Sequence, residues 1–224
     1  KKIKIMFFNR SLRDVIFGVR IFAGDTIKEM CDSTTMASKI CNQIASIFAK
    51  STSPHPSPLE LLVAELSSTS SNGGKVFLYG VGREGLMLKA LCMRLSHLGL
   101  NSHSVLDMTV PPISANDLLI VSAGPGGFPT VDAIAGSASS FGARVVVLTA
   151  QPDRVKCGGE ICYLPAQTMA DDGGEEGGDS RPLMLMGSAY EGALFVLFEM
   201  VVYELGQKLG QSTKFIRARH TNLE

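Results

Sequence analysis

No apolar run in the 224-residue chain reaches the roughly 18 residues that a membrane-spanning helix needs. Neither sign of charge is in excess, with 21 Lys+Arg against 21 Asp+Glu. That balance excludes a protein whose grip on nucleic acid or acidic lipid is electrostatic. Cysteine is sparse: Cys31, Cys41, Cys92, Cys157 and Cys162. An odd number at irregular spacing, with no secretory leader, points to a reducing compartment, and the expected location is cytoplasmic. Cys157 and Cys162 are separated by four residues, and no second Cys or His pair completes a zinc set. No metal site is expected.

The first 28 residues stand apart. They hold Lys1, Lys2, Lys4, Arg10, Arg13, Arg20 and Lys28 against Asp14 and Asp25, with apolar residues interspersed. Three readings stay open: an organelle transit peptide, a surface extension, and upstream sequence ahead of a start at Met30 or Met36. The chain is accordingly divided into a basic extension, 1–36, and a single domain, 37–224, whose core is 75–224.

Along that domain, Ile40, Ile44, Ile47 and Phe48 carry helical spacing within Met36–Lys50. The Ser/Pro run from Ser51 to Pro58 breaks it. A short helix is predicted over Leu59–Leu66, followed by a flexible loop over Ser67–Gly74. From there strands and helices alternate. Strands are predicted at Val76–Val81, Ser102–Leu106, Leu118–Ser122, Arg144–Thr149 and Glu160–Leu164. Helices are predicted at Gly85–Leu98, Thr130–Phe141 and Pro182–Leu209, the last as one helix or two. The polar run Asp171–Asp179 carries five acids among paired glycines. It reads as a solvated loop rather than a divalent-metal site, because repeated Gly-Gly gives no rigid ligand geometry.

Alternation of this kind implies a parallel sheet covered on both faces, with ligands at the carboxyl ends of the strands near the switch point. Two glycine-rich turns, Gly80–Gly85 and Ala123–Gly127, fall at such ends. Glycines let main-chain N–H groups approach an anion, and the helix behind adds its positive end. The expected ligand is therefore a phosphate-bearing small molecule. Gly80-Val81-Gly82-Arg83-Glu84-Gly85 also matches G-x-G-x-x-G, and Asp107 follows 22 residues later, where a dinucleotide fold places its ribose-binding acid.

The residues from Lys75 to Glu224 resemble the sugar isomerase (SIS) family, and within it the 6-phospho-3-hexuloisomerases. The family's apolar strand and G-x-G-R-S-G turn are echoed by Val76–Gly85. Its M-R-L-x-H-L-G ending is reproduced by Met93–Gly99. Thr109–Ile113 with Asp117–Leu119, Gly142–Val145 and Thr149–Asp153 resemble later segments. Gly187-Ser188-Ala189-Tyr190-Glu191 resembles G-T-L-F-E, and Arg219–Glu224 is one residue from R-H-A-N-L-E.

The resemblance implies a three-layer α/β/α sandwich, flavodoxin-like, with a five-stranded parallel sheet. It implies isomerisation of 3-hexulose 6-phosphate to fructose 6-phosphate through an enediolate, without cofactor or metal. Glu191 would be the base and His220 the acid or oxygen-proton partner. Arg83 would hold phosphate or enediolate, with Gly82, Glu84, Ser122, Gly124, Gly126 and Gly127 around the phosphate. In the family the sites form between subunits, so a homo-oligomer, dimer or tetramer, is expected, with His220 serving a neighbour.

Taken singly, each residue has a structural reading too. Glu191 favours a helix N-terminus, His220 is a solvated tail histidine, and His97 packs or caps a helix. Two departures from the family bear on the ligand. Glu84 replaces the turn serine. The family's second turn, S-G-S-G-E-T, reads Ala123-Gly124-Pro125-Gly126-Gly127-Phe128, which loses hydroxyl donors and one N–H. Two outcomes are open: the glycines still bind an anion through main-chain N–H groups, or Glu84 itself occupies them. Two rival functions are carried forward: a non-catalytic binder of a carbohydrate derivative that lost the phosphate grip, and a dinucleotide-binding oxidoreductase.

Overall fold

The computed structural model describes residues 32–171 and 183–223. The basic leader up to residue 28 and all of the acidic loop but Asp171 lie outside them. The chain forms two compact units, Lys1–Gln43 and Ile44–Glu224. The described part of the first, 32–43, is helical, and the helix (α1) is described over 32–48.

In the second unit follow α2 (Pro58–Ser71), β1 (Lys75–Gly80), α3 (Gly82–His97), β2 (Asn101–Ser104), β3 (Leu118–Ser122) and α4 (Pro129–Ser140). Then come β4 (Arg144–Thr149), β5 (Glu160–Tyr163), α5 (Ser188–Lys208) and α6 (Thr213–Ala218). All strand pairs are parallel, in the order β2-β1-β3-β4-β5. The protein is thus an α/β/α sandwich on a five-stranded parallel sheet.

Side chains alternate across the sheet. Phe77, Leu119, Val121, Val145 and Val147 pack with Val131, Ala135 and Ala138 of α4. Helices α2 and α3 contact β1 and β3 and pack against α5. Burial on both faces explains the unbroken apolar runs of β3 and β4.

Two expectations need correction. The Ser67–Gly74 loop does not exist as such, because α2 continues to Ser71. The Thr69 hydroxyl donates to the Glu65 carbonyl oxygen (2.8 Å) and accepts from Arg144 Nη2 (2.7 Å), while Arg144 Nε donates to Glu65 (2.8 Å). Tertiary partners override the weak helix propensity of a Ser/Thr run. At the other end, the long helix begins at Ser188, not near Pro182. Met186 (φ +51°) and Gly187 (φ +81°) both sit in the left-handed region, where a helix cannot pass.

Candidate active site

The sheet order places the switch point between β1 and β3, whose last residues, Gly80 and Ser122, are in register. Both glycine turns leave from there. Helix α3 begins at Gly82, so Arg83 and Glu84 lie in its first turn. A Cβ on Gly85 would sit 2.4 Å from the Gly80 carbonyl oxygen. Close packing of α3 on β1 therefore accounts for Gly80 and Gly85 without any ligand.

The Glu84 side chain turns inward, and the residue is 7% exposed. Its Oε2 accepts from the Ser122 hydroxyl (2.5 Å) and from the Gly124 N–H (3.0 Å). Two other N–H groups of that turn serve the chain itself: Ala123 donates to Leu148 (2.9 Å) and Gly126 to Ala123 (2.8 Å), while Pro125 has none. Of the two outcomes open for the second turn, the geometry is that of a Glu84 carboxylate seated on it. Behind it, the buried Tyr190 hydroxyl lies 3.2 Å from Ser122 Oγ. Burial raises the Glu84 pKa above its ordinary value, against the opposing pull of Ser122, Gly124 and Arg83. Burial, then the Glu84 charge, pushes the Tyr190 phenol well up, so it stays protonated.

Arg83 points the other way. Nη1 donates to Ser188 Oγ (3.0 Å), Nη2 donates to the Met186 carbonyl oxygen, and Nη2 pairs with Glu191 Oε2 at 3.1 Å. The left-handed bend at Met186–Gly187 presents that carbonyl and starts α5, which puts Glu191 in its first turn. Glu191 Oε2 is buried and takes no hydrogen bond among the described residues, so Arg83 meets it as a charge, off the hydrogen-bond line. Burial raises the Glu191 pKa; Arg83 opposes and Glu84 adds to the rise.

Arg83, Glu84, Tyr190 and Glu191 share a cavity of about 610 Å³. Its remaining walls are mainly apolar: Val81, Pro125, Phe128, Met169, Leu185 and Met186, with Gly82, Thr168, Gly187 and Ser188. This is the volume of a small-molecule site. A half-desolvated carboxylate beside a guanidinium suits proton abstraction next to a carbonyl, with Arg83 placed to meet the developing oxyanion.

The structure brings Gly82, Arg83, Glu84, Ser122, Gly124 and Glu191 together, with Gly126 in the same turn and Gly127 beside it. It does not bring His220 to them within one chain. The His220 ring lies 5.3 Å from that of His97, the last residue of α3, and Arg219 Nη1 donates to the His97 carbonyl oxygen (3.2 Å). Arg83 is in the first turn of that 16-residue helix, so roughly 20 Å of helix separates the two. Asp107 is exposed beyond β2 and does not line the cavity. Among the described residues, no three His, Cys, Asp or Glu side chains cluster as metal ligands would.

Sequence reasoning missed Tyr190, Ser188 and the Met186 carbonyl. The Gly187–Glu191 motif contained Tyr190 and Ser188, and an inward tyrosine one residue before a candidate base was the available signal. The Met186 bend had none, since a left-handed non-glycine residue is not written in local sequence.

No family model matches the chain. The 3-hexulose-6-phosphate isomerase of Mycobacterium gastri is 37% identical over 164 residues, 72% of this chain and 80% of that protein. The 3-hexulose-6-phosphate isomerase of Bacillus subtilis is 31% identical over 150 residues, 67% and 80% respectively. A hypothetical protein from Methanococcus jannaschii, whose crystal structure was described as inferring a molecular function of 3-hexulose-6-phosphate isomerase, matches with a TM-score of 0.65. It is 22% identical and covers 83% of this chain and 97% of its own, a likeness of fold.

Proposed function

This chain belongs to the 3-hexulose-6-phosphate isomerase family, and we propose that it is an isomerase moving the carbonyl of a phosphorylated ketohexose between neighbouring carbons. The single observation that supports this most is the Arg83–Glu191 pair at 3.1 Å on the floor of an apolar cavity at the switch point. Glu191 takes a proton from the carbon between hydroxyl and carbonyl and returns it to the neighbour. Arg83 offers its charge to the enediolate oxygens between the two steps. The raised Glu191 pKa narrows the gap between base and carbon acid, and the apolar walls keep water from the intermediate.

The oxygen-bound proton is carried by His220 of a second copy. What supports a second copy is the apolar surface left open on two neighbouring helices: Leu86 and Met93 on α3, Phe195 and Tyr203 on α5, all more than half exposed.

Interconversion of fructose 6-phosphate and its 3-keto isomer tests the reading. Glu191→Gln should lower kcat by about 10²–10⁴. Mixing Glu191→Gln with His220→Ala protomers should restore part of the activity that each lacks alone. A folded wild-type protein without turnover would sink the proposal.

One observation favours a second reading, a carbohydrate-derivative binder without catalysis: the carboxylate of Glu84 on the second turn. It predicts thermal stabilisation by sugars with no turnover.

A further inference from the structure

We infer that the Glu84 carboxylate is a resident competitor for the substrate's phosphate, so that position 84 sets how tightly this cavity holds a phosphorylated sugar. The inference rests on the phosphosugar reading above and deepens it.

Three observations carry it. The first is occupancy. Glu84 Oε2 takes the Ser122 hydroxyl and the Gly124 N–H, while the N–H groups of Ala123 and Gly126 are used inside the chain. An incoming phosphate finds the Ser122 and Gly124 donors already bound to an anion, and those of Ala123 and Gly126 already bound to carbonyl oxygens.

The second is charge. Among the described residues, the charged side chains lining the cavity are Arg83, Glu84 and Glu191, two carboxylates to one guanidinium, and the guanidinium is already paired at 3.1 Å. A dianion entering this lining meets net repulsion.

The third is fixity. A Cβ on Gly124 would fall 2.8 Å from the Tyr190 ring and 3.0 Å from Glu84 Oε1. The carboxylate and a fully buried ring thus both close on Gly124, which leaves no spare volume around the carboxylate on that side.

The test compares wild type, Glu84→Gln and Glu84→Ser, using inorganic phosphate in thermal-shift titrations and fructose 6-phosphate in the isomerase assay. Glu84→Ser frees the Ser122 hydroxyl and Gly124 N–H, and its half-saturation for phosphate and its KM should fall at least about tenfold. Glu84→Gln keeps a side chain in place but removes its charge, so it should fall between. Should Glu84→Ser misfold, the shift in Glu84→Gln decides alone.

Identical phosphate responses in all folded forms would overturn the inference. Wild-type turnover with a KM unmoved by Glu84→Ser would overturn it and leave the isomerase reading standing. Phosphate binding gained in Glu84→Ser, with no turnover in any form, would support it and end the isomerase reading.

Discussion

Asp117 and Glu84 are buried carboxylates at opposite ends of one sheet, 1% and 7% exposed. Burial pushes both toward the neutral form. At the amino ends of the strands, Asp117 accepts from the Lys75 N–H (2.7 Å), the Ser114 N–H (2.7 Å) and the Ser114 hydroxyl (2.8 Å), and pairs with Lys75 Nζ at 3.1 Å. These partners overcome the burial, and its pKa lies below the ordinary value of 3.8. At the carboxyl ends, Glu84 has two donors, and the guanidinium beside it reaches for Glu191 instead. There burial wins, and the pKa lies above 4.5. The two ends differ in whether charge is fully matched. The matched end closes the fold, joining β1, β3 and the loop before β3. The mismatched end is where a cavity opens and where unbalanced charge faces any ligand that enters.

The comparison breaks most visibly at the matched end. Asp117→Ala leaves the Lys75 and Ser114 donors without their acceptor in a buried place. It should cost about 2–4 kcal/mol of stability in urea unfolding. The same variant should leave KM for the phosphosugar unchanged, because Asp117 lies a full strand length from the cavity. A stability loss under about 0.5 kcal/mol would mean the network is ornamental.

The two ends were not equally legible in the sequence. The β3 and β4 limits, Leu118–Ser122 and Arg144–Thr149, were readable because both faces of these strands are buried and the apolar runs are sharply bounded. Arg83, Glu84 and Glu191 were readable because Gly80–Gly85 and Gly187–Glu191 resemble family motifs, although the expected helix starts at Gly85 and Pro182 put none of them in a first turn. The rest depends on contacts distant in sequence. The Ser67–Ser71 extension of α2 leans on Arg144, 75 residues away from Thr69. Glu84 reaches across 40 residues to Gly124. Asp117 was read only as part of the segment Asp117–Leu119 that resembles the family, since nothing local shows that Lys75 would meet it.

Opposite pKa shifts predict opposite pH dependences, a smaller effect that sharpens the comparison. Asp117 has a depressed folded pKa. Its contribution is present above the unfolded value and is lost as pH falls through the folded one. Glu84 has a raised folded pKa. Its contribution is fully present below the unfolded value and is lost as pH rises through the folded one. Unfolding free energy against pH should therefore lose its acid-side drop below about pH 4 in Asp117→Asn. In Glu84→Gln it should lose a decline that begins above about pH 4.5 in the wild type. Slopes of the same sign at both positions would contradict the assignment of matched and mismatched ends.

The smallest expected effect tests which way the buried hydroxyl chain runs. Ser122 donates its one proton to Glu84, so at 3.2 Å the Tyr190 hydroxyl is left to donate to Ser122 Oγ. The order is then Tyr190 to Ser122 to Glu84, each donor strengthened by the one behind it. Tyr190→Phe keeps the ring packed against Gly124 and removes only the first donor. It should cost about 0.5–1.5 kcal/mol. It should also weaken the Ser122 bond, moving the Glu84 pKa further up in a carboxyl ¹³C titration. If Tyr190 instead accepted from Ser122, the Ser122 proton would not be on Glu84. The same variant would then free that proton for the carboxylate and move the pKa down. The sign of one shift in an isosteric variant therefore decides how the mismatched carboxylate is held, and so how readily a phosphate can take its place.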